Sequence, residues 1–284
     1  MNPGRISPDP TAGTSGLIPG AAVLWKREML HFLRQRARLV GFIGSPVIFW
    51  IVIGSGFNRS FSYTGARPDI SYLEFYFPGT IVLTMLFTAI FASISIIEDR
   101  HSGFLQGVLV APVPRLSISS GKILGAASLA LMQALLLLLL VPVLGIGLSP
   151  ASVVLSVLSL VILAVGLAGL GFLIAWRMDT TQGFHAVMNL LLIPLWLLSG
   201  SLFPVHGAAS WIEKIMLCNP LYYGMSTFRQ ALYLASVPEP QEVLPLPLNF
   251  AIISIFSVVM LFLSARSAKT RSKVWPRKNS ILKC

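Results

Sequence analysis

Three short groups of residues could in principle carry chemistry. Ser199-Gly200-Ser201 offers hydroxyl groups that a neighbouring base could activate as nucleophiles. Gly121-Lys122 is the kind of pair that closes a phosphate-binding loop. His185 could relay a proton or ligate a metal, although a histidine at the edge of an apolar segment is more often only solvated.

The first two groups lack the residues that their chemistry requires. A nucleophilic Ser199 would need glycine two positions earlier, where the chain has Leu197. A phosphate loop ending at Gly121 would need glycine five positions earlier, where the chain has Leu116. We therefore predict no catalytic, cofactor-binding or metal-binding residue and no hydrolysis of ATP by this chain itself.

A fourth group, between residues 98 and 115, indicates contact with a partner rather than catalysis. Four of its apolar residues recur at helical spacing and would form one edge of a short helix: Phe104, Leu105, Val108 and Leu109. Pro112 and Pro114 would end that helix. Such an edge can dock in a groove of another protein or rest on lipid headgroups, and the spacing alone favours neither.

The segments that must position this group are those of a membrane protein. Apolar residues make up 55% of the 284 residues, charged residues make up 11%, and the apolar ones form long uninterrupted runs. The mean hydropathy is +0.79. With only two cysteines, a secreted disulfide-built fold is excluded, and redox chemistry is not indicated.

Stretches of about 20 residues without charge predict six membrane-spanning helices in an all-α integral membrane fold. They are residues 39–57, 76–97, 123–148, 151–176, 184–203 and 246–265. Together they define a domain over residues 39–265.

The positions of the basic residues predict the orientation of these spans. Of the 21 Lys and Arg residues, seventeen fall on one side of the six predicted spans and four on the other. Positively charged segments tend to stay in the cytoplasm, so both termini are predicted to be cytoplasmic. The basic tail over residues 266–284 is then a topology anchor facing anionic lipid, and no nucleic-acid partner is needed.

Two segments outside the spans are also helix-like. After a flexible tail over residues 1–20, residues 21–38 alternate Trp25, Met29 and Phe32 with basic residues, which predicts an amphipathic helix in the membrane interface. The outer segment over residues 204–240 is punctuated by prolines and aromatic residues, which predicts short broken helices that re-enter the membrane.

The predicted spans hold no Asp, Glu, Lys or Arg at central depth. Carriers driven by protons commonly use such residues, and membrane enzymes need an acid or base within reach of substrate. Both a secondary carrier or channel and a membrane enzyme remain alternatives, but neither finds its usual residues. A secondary carrier would be favoured if transport followed an ion gradient.

The order of several short motifs resembles the membrane subunit of type-2 ATP-binding-cassette exporters, the permease family of bacterial drug, lipid and polysaccharide exporters. The resemblance covers most of the chain. It rests on Phe77-Pro78-Gly79, on Arg100, Gly103, Leu105, Leu109, Pro112, Arg115 and Gly121-Lys122, on Ser199-Gly200, Phe203-Pro204 and Trp211, and on Asn219-Pro220-Leu221-Tyr222-Tyr223 with Arg229. The chain has Gln106 where the family often has Glu.

The resemblance implies a coupling helix in the first cytoplasmic loop, gripped by an ABC ATPase subunit present in two copies, which would bind the ATP and Mg. The implied coupling residues are Arg100, Gly103, Phe104, Leu105, Gln106, Val108, Leu109, Pro112 and Arg115. In the re-entrant region the implied residues are Phe203, Pro204, Trp211, Asn219, Pro220, Tyr222 and Arg229. A second permease subunit, identical or different, would complete a pathway across the inner membrane of a bacterium, carrying an amphipathic drug, lipid or lipid-linked glycan outward.

Overall fold

The computed structural model describes residues 16–34, 36–57, 71–110, 113–205, 208–235 and 243–270. Within these ranges the chain is helical, without strands. The helices are α1 (Leu17–Leu33), α2 (Arg36–Phe57), α3 (Tyr72–Phe91), α4 (Ile94–His101), α5 (Phe104–Val110), α6 (Arg115–Leu138), a 3-10 helix (Val141–Leu144), α7 (Pro150–Arg177), α8 (Thr181–Leu197), α9 (Ser210–Cys218), α10 (Pro220–Leu232) and α11 (Leu246–Thr270).

Four segments of the described chain are long and apolar enough to cross a membrane. They are Tyr72–His101, which joins α3 to α4, and Arg115–Leu138, Pro150–Arg177 and Leu246–Lys269. Two shorter apolar helices, Pro46–Phe57 and Thr181–Leu197, lie at the first and fifth predicted spans. The chain is therefore a helical membrane protein, as its composition predicts.

Helix α2 runs antiparallel to α3. Near the end of α2, the Phe57 ring lies 5.6 Å from that of Tyr72, at the start of α3. Two turns earlier, Trp50 Nε1 donates a hydrogen bond to the Leu73 carbonyl at 2.9 Å, and its ring lies 5.0 Å from that of Phe77. The two helices therefore form a hairpin.

Helix α8 also runs antiparallel to α3. The ring of Phe184, near the start of α8, lies 6.5 Å from that of Phe91, at the end of α3. The ring of Trp196, near the end of α8, lies 6.4 Å from that of Tyr76, near the start of α3. The contacts span about 23 Å along α3 at 1.5 Å per residue, so α8 follows most of its length.

Helices α7 and α11 run parallel, in close contact. Ser257 Oγ donates to the Ile162 carbonyl at 2.7 Å, and Ser264 Oγ donates to the Gly169 carbonyl at 3.0 Å. A side chain at Gly166 would lie 2.6 Å from Ser257 Oγ. A Cβ at Gly166 or Gly169 would meet α11, so only small residues permit this approach.

Helix α1 lies lengthwise along the first half of α6. Ser117 Oγ donates to the Leu17 carbonyl at 2.9 Å, and Trp25 Nε1 donates to Ser128 Oγ at 3.0 Å. Between these bonds Gly121 faces α1 and lets the two helices approach closely.

Replacing Gly121 with alanine should separate these helices. The added Cβ would lie 2.7 Å from Leu24 Cβ and 2.8 Å from the Ala21 carbonyl oxygen, which belongs to the backbone and cannot rotate away. We expect a loss of about 1–3 kcal/mol in the free energy of unfolding, measured by thermal or detergent titration. The matched control is Gly44→Ala in α2, where no atom of another described helix lies within 4 Å of the added Cβ. Equal stability of the two variants would contradict the close contact.

Helix α10 reaches the middle of the bundle. A Cβ on Gly224 would lie 2.7 Å from Leu163 Cδ1, and Leu163 stands halfway along α7. Asn249 Nδ2 donates to Ser226 Oγ at 2.9 Å and so ties α10 to the beginning of α11. The short helices predicted within residues 204–240 are present as α9 and α10.

Several bounds differ from the predicted ones. Helix α1 begins at Leu17, inside the predicted tail, because its first turn packs on α6; the residues before 16 lie outside the described chain. The third predicted span begins earlier, at Arg115, and ends at Leu138, since Gly145 with φ +75° turns the chain after the 3-10 helix. The fifth ends at Leu197 rather than at residue 203, and α11 continues to Thr270 into the predicted basic tail.

One end of the bundle carries most of the described cations, and we call it the basic end. There α4, α7 and α11 finish and α6 and α8 begin, and Arg115 Nη1 donates to the Lys269 carbonyl at 3.0 Å. Its cations are Lys26, Arg27, Arg100, Arg115, Lys122, Arg177, Arg266 and Lys269. Among the described residues, the opposite end, which we call the far end, contributes Lys214 and Arg229.

Candidate functional site

The predicted coupling helix is α5, and a glycine turn sets its direction. Helix α4 ends at His101, and Gly103 then adopts φ +78°, a left-handed conformation that side chains other than glycine rarely adopt. The chain turns there and enters α5 at the basic end. Gly103 is thus a turn residue, whatever its further role toward a partner.

Helix α5 presents two different faces. Leu105 is buried, and the other three residues of the predicted apolar edge are half-buried against the chain's own core: Phe104, Val108 and Leu109. Gln106, Gly107 and Val110 are exposed, with Val110 at 88%. The apolar edge therefore packs against this chain, and the more exposed surface is the opposite face.

Four charged side chains form a network behind α5. Arg27 of α1 and Asp99 of α4 form a two-pronged pair with distances of 2.8 and 2.6 Å. Lys122 of α6 donates to the same carboxylate and, at 2.5 Å, to Glu28 of α1. Lys122, Glu28 and Asp99 are buried. Two cations and two carboxylates thus balance one another and join three helices.

Arg27 also connects the network to α5. Its guanidinium carbon lies 3.7 Å from the centre of the Phe104 ring, a cation–π contact. The hydrogen bonds to Asp99 raise the pKa of the Arg27 guanidinium above its usual value, so the group stays charged. A single side chain therefore contacts α1, α4 and α5.

Arg100, predicted as a coupling residue, faces inward. Its Nη1 donates to the Met178 carbonyl at 2.6 Å and its Nη2 to the Trp176 carbonyl at 2.8 Å. These are carbonyls at the end of α7, where a helix leaves acceptors unsatisfied and favours a cation. His101 Nε2 lies 2.8 Å from the Asp179 carbonyl. Arg100 therefore fixes the connection between α7 and α8.

The remaining coupling residues lie apart from this network. Arg115 is exposed and bonded to α11, as described above, and Pro112 lies outside the described residues.

Of the predicted interfacial residues, Phe32 is buried, Met29 half-buried and Trp25 partly exposed. Val23 and Leu30 are apolar residues of α1 that are exposed.

Two residues of the predicted outer region hold the end of α8. Asn219 accepts a hydrogen bond from the Leu221 N–H at 2.9 Å, capping α10, and donates to the Leu195 and Leu198 carbonyls at 2.6 and 3.0 Å. Arg229 donates to the Gly200 carbonyl at 3.1 Å. The far end of α8 is therefore fixed to α10.

The other predicted residues of this region have less specific surroundings. Phe203 and Pro204 are half-buried in the turn after α8, Trp211 is exposed on α9, and Pro220 opens α10. Tyr222 is buried. The Ser199 hydroxyl, considered above as a nucleophile, donates to the Trp196 carbonyl at 2.6 Å and so satisfies an acceptor at the end of α8.

Sequence reasoning missed the charged network. In the sequence, Arg27 is only one of the basic residues of an amphipathic helix, and Lys122 is only part of a motif. The available signals were Glu28, the single acidic residue of α1, and the position of Asp99 and Lys122 at the edges of apolar runs. Charges at such edges need partners when the helices pack.

Known proteins share this chain's sequence over most of the described helices. The sequence model of the ABC-2 type transporter family matches residues 21–233, from α1 to just beyond α10. A protein of Cyanophora paradoxa named as a transport permease, ycf38, is 31% identical over 209 residues, which is 73% of this chain and 72% of its own.

Two relatives are named as ABC transporter permeases. YbhR of Escherichia coli (strain K12), named for multidrug transport, is 28% identical over 55% of this chain and 42% of its own length. DrrB1 of Streptomyces coeruleorubidus, named for daunorubicin resistance, is 24% identical over 74% of this chain and 73% of its own. The chain therefore belongs to the ABC-2 type transporter family, as a membrane permease subunit of an ABC transporter that works with an ABC ATPase partner.

Proposed function

We propose that the chain is one of two permease subunits of an ATP-driven exporter in the cytoplasmic membrane of a bacterium. ATP and Mg bind to two copies of a separate ATPase, which contact the exposed face of α5. The observation that carries this proposal is the position of α5: it is exposed at the basic end and joined by Arg27 to helices that continue into the bundle.

The helix directions support six crossings. The parallel arrangement of α7 and α11 requires an odd number of crossings between them, and α8, which follows most of α3 in the opposite direction, supplies one. Helices α9 and α10 then form a re-entrant pair. Helix α2 supplies the remaining crossing antiparallel to α3. Helix α1 begins and helix α11 ends at the basic end, which faces the cytoplasm under the positive-inside rule.

A second permease subunit covers the open face of α8. Only one stripe of this helix is buried in the chain: Phe184, Met188, Leu192 and Trp196. Leu190 is 79% exposed and Ile193 51%, with Asn189 on the same exposed side. An apolar face that carries one polar amide suits a shared pathway better than bulk lipid. The second subunit is either a copy of this chain or a related one.

The cargo is an amphipathic molecule, such as a drug, a lipid or a lipid-linked glycan. The names of two relatives refer to drugs, one to multidrug transport and one to daunorubicin resistance. These names support the drug class. An apolar pathway wall would accept any of the three classes.

Charging the exposed face of α5 tests the proposal. Val110→Asp should weaken co-purification with the ATPase at least 30-fold, because a buried charge at an interface centre costs about 2 kcal/mol or more. ATP-driven transport in proteoliposomes should fall with it. The matched control is Ile215→Asp, an exposed apolar position on α9 at the far end.

Two results would contradict the proposal. Unchanged association and transport in Val110→Asp would remove α5 as the ATPase contact. Transport by the unaltered complex that persists without ATP and follows an ion gradient would instead support a secondary carrier.

A further inference from the structure

An open groove lies between α7 and α11 at the basic end. Its volume is about 1030 Å³, at the upper limit of the roughly 300–1,000 Å³ of ligand sites. Helix α7 contributes Leu170, Leu173 and Ile174, and helix α11 contributes Met260 and Leu263. These side chains make the greater part of the groove apolar.

The groove changes from apolar to cationic along its length. On α7 the lining residues run from Leu170 to Arg177, and on α11 from Met260 to Arg266. Both arginines are exposed. Seven residues of helix span about 10 Å, so an apolar section of this length ends at two cations. This is the polarity of a phospholipid whose anionic headgroup lies at the basic end.

The charges around the groove favour an anion. None of its lining residues is acidic. The carbonyls at the end of α7 are already occupied by Arg100, so the exposed guanidinium of Arg177 is not needed as a helix cap. In the part of the chain that the structure describes, Arg177 forms no ion pair.

Lipid can reach the groove. Of the four long apolar helices, α11 has the most exposed surface, because only 17% of its most apolar stretch is buried. Phe262, beside the groove residue Leu263, is 62% exposed. A large apolar surface on a spanning helix faces either lipid or another membrane helix, and the paired cations at one end favour lipid.

We propose that this groove binds one anionic phospholipid, with its headgroup at Arg177 and Arg266 and an acyl chain against Leu173 and Leu263. The inference rests on the membrane orientation given under the proposed function but on no step of ATP coupling. It can therefore fail while ATP-driven transport is intact, and it can hold if transport proves to be driven otherwise.

Fluorescence quenching by brominated lipid provides the test, because Trp176 lines the groove. The full chain is placed in phosphatidylcholine vesicles that contain a small fraction of brominated phosphatidylglycerol or of brominated phosphatidylcholine. The contribution of Trp176 is the difference between the chain and its Trp176→Phe variant. We expect Trp176 to be quenched at a several-fold lower mole fraction of the anionic lipid.

The variants separate the groove from general surface charge. In Arg177→Gln/Arg266→Gln the apparent affinity for phosphatidylglycerol should fall about 30-fold, since each cation near a membrane surface contributes about five-fold. Lys26→Gln/Arg34→Gln removes two exposed cations that do not line the groove and should leave the preference unchanged.

Four outcomes would overturn the proposal. One is equal quenching by the two brominated lipids, and another is loss of the preference in the control variant alone. The third is disulfide formation between Leu263→Cys residues of two copies together with no quenching, which would assign the groove to a second permease. Inorganic phosphate at millimolar concentration should not displace the lipid; if it does, the site binds free phosphate instead.

Discussion

Replacing Lys122 with methionine should lower the free energy of unfolding by about 3–5 kcal/mol, the loss usual when one partner of a buried ion pair is removed. The lysine stands between Glu28 and Asp99, and all three side chains are at most 9% exposed. Arg27 can neutralise only one of the two carboxylates. Arg27 also lies 3.4 Å from Glu28, but its single positive charge would then face two buried carboxylates.

Restoring the charge balance should recover most of this loss. In Glu28→Gln/Lys122→Met the Arg27–Asp99 pair remains, so one cation faces one carboxylate. The double variant should therefore be more stable than Lys122→Met alone. Lys269→Met, an exposed lysine at the same end, should change stability by no more than about 0.5 kcal/mol.

The measurement is a detergent titration of unfolding in mixed micelles for five proteins: the unaltered chain, Lys122→Met, Glu28→Gln, Glu28→Gln/Lys122→Met and Lys269→Met. If the double variant is as unstable as the sum of its single changes, the residues act independently. The charged network would then not explain how α1, α4 and α6 are held together.

Replacing Arg27 with lysine should separate ATP hydrolysis from transport. Lysine keeps the charge but lacks the planar group that pairs with Asp99 through two nitrogens while covering the Phe104 ring. Losing one charged hydrogen bond and the ring contact weakens the link between α4 and α5 by about 1.5–3 kcal/mol. We expect transport per ATP hydrolysed to fall about ten-fold or more.

The ratio of transport to hydrolysis distinguishes coupling from stability. Both are measured on the reconstituted complex, with the amount of bound ATPase determined in parallel. Arg34→Lys, an exposed arginine of the same helix, is the matched control and should leave the ratio unchanged. A parallel decrease of hydrolysis and transport in Arg27→Lys would mean that the side chain only supports folding or ATPase binding.

Much of the fold follows from local sequence. Apolar runs predict the membrane class, and the small glycines of α6 and α7 permit the close helix contacts that the structure shows. The motif order also predicts the family. The glycine turn at Gly103 and the cap at Asn219 are local features, set by neighbouring residues.

The charged network could not be predicted in the same way. Arg27 and Asp99 are 72 positions apart, and Lys122 and Glu28 are 94 apart, so nothing local connects them. Which face of α5 is left open could not be predicted for a related reason. Helical spacing identifies an apolar edge, but only the packing of α4 against α1 and α6 decides that this edge faces inward.

The last turn of α4 contacts both flanks of the bundle through consecutive residues. Asp99 bonds to α1 and α6 on one side, while Arg100 and His101 bond to the connection between α7 and α8 on the other. Because these bonds join one turn to both flanks, any tilt of the turn moves both flanks together. We therefore expect the two halves of the subunit to switch in a single concerted motion, without a stable state in which only one half has moved.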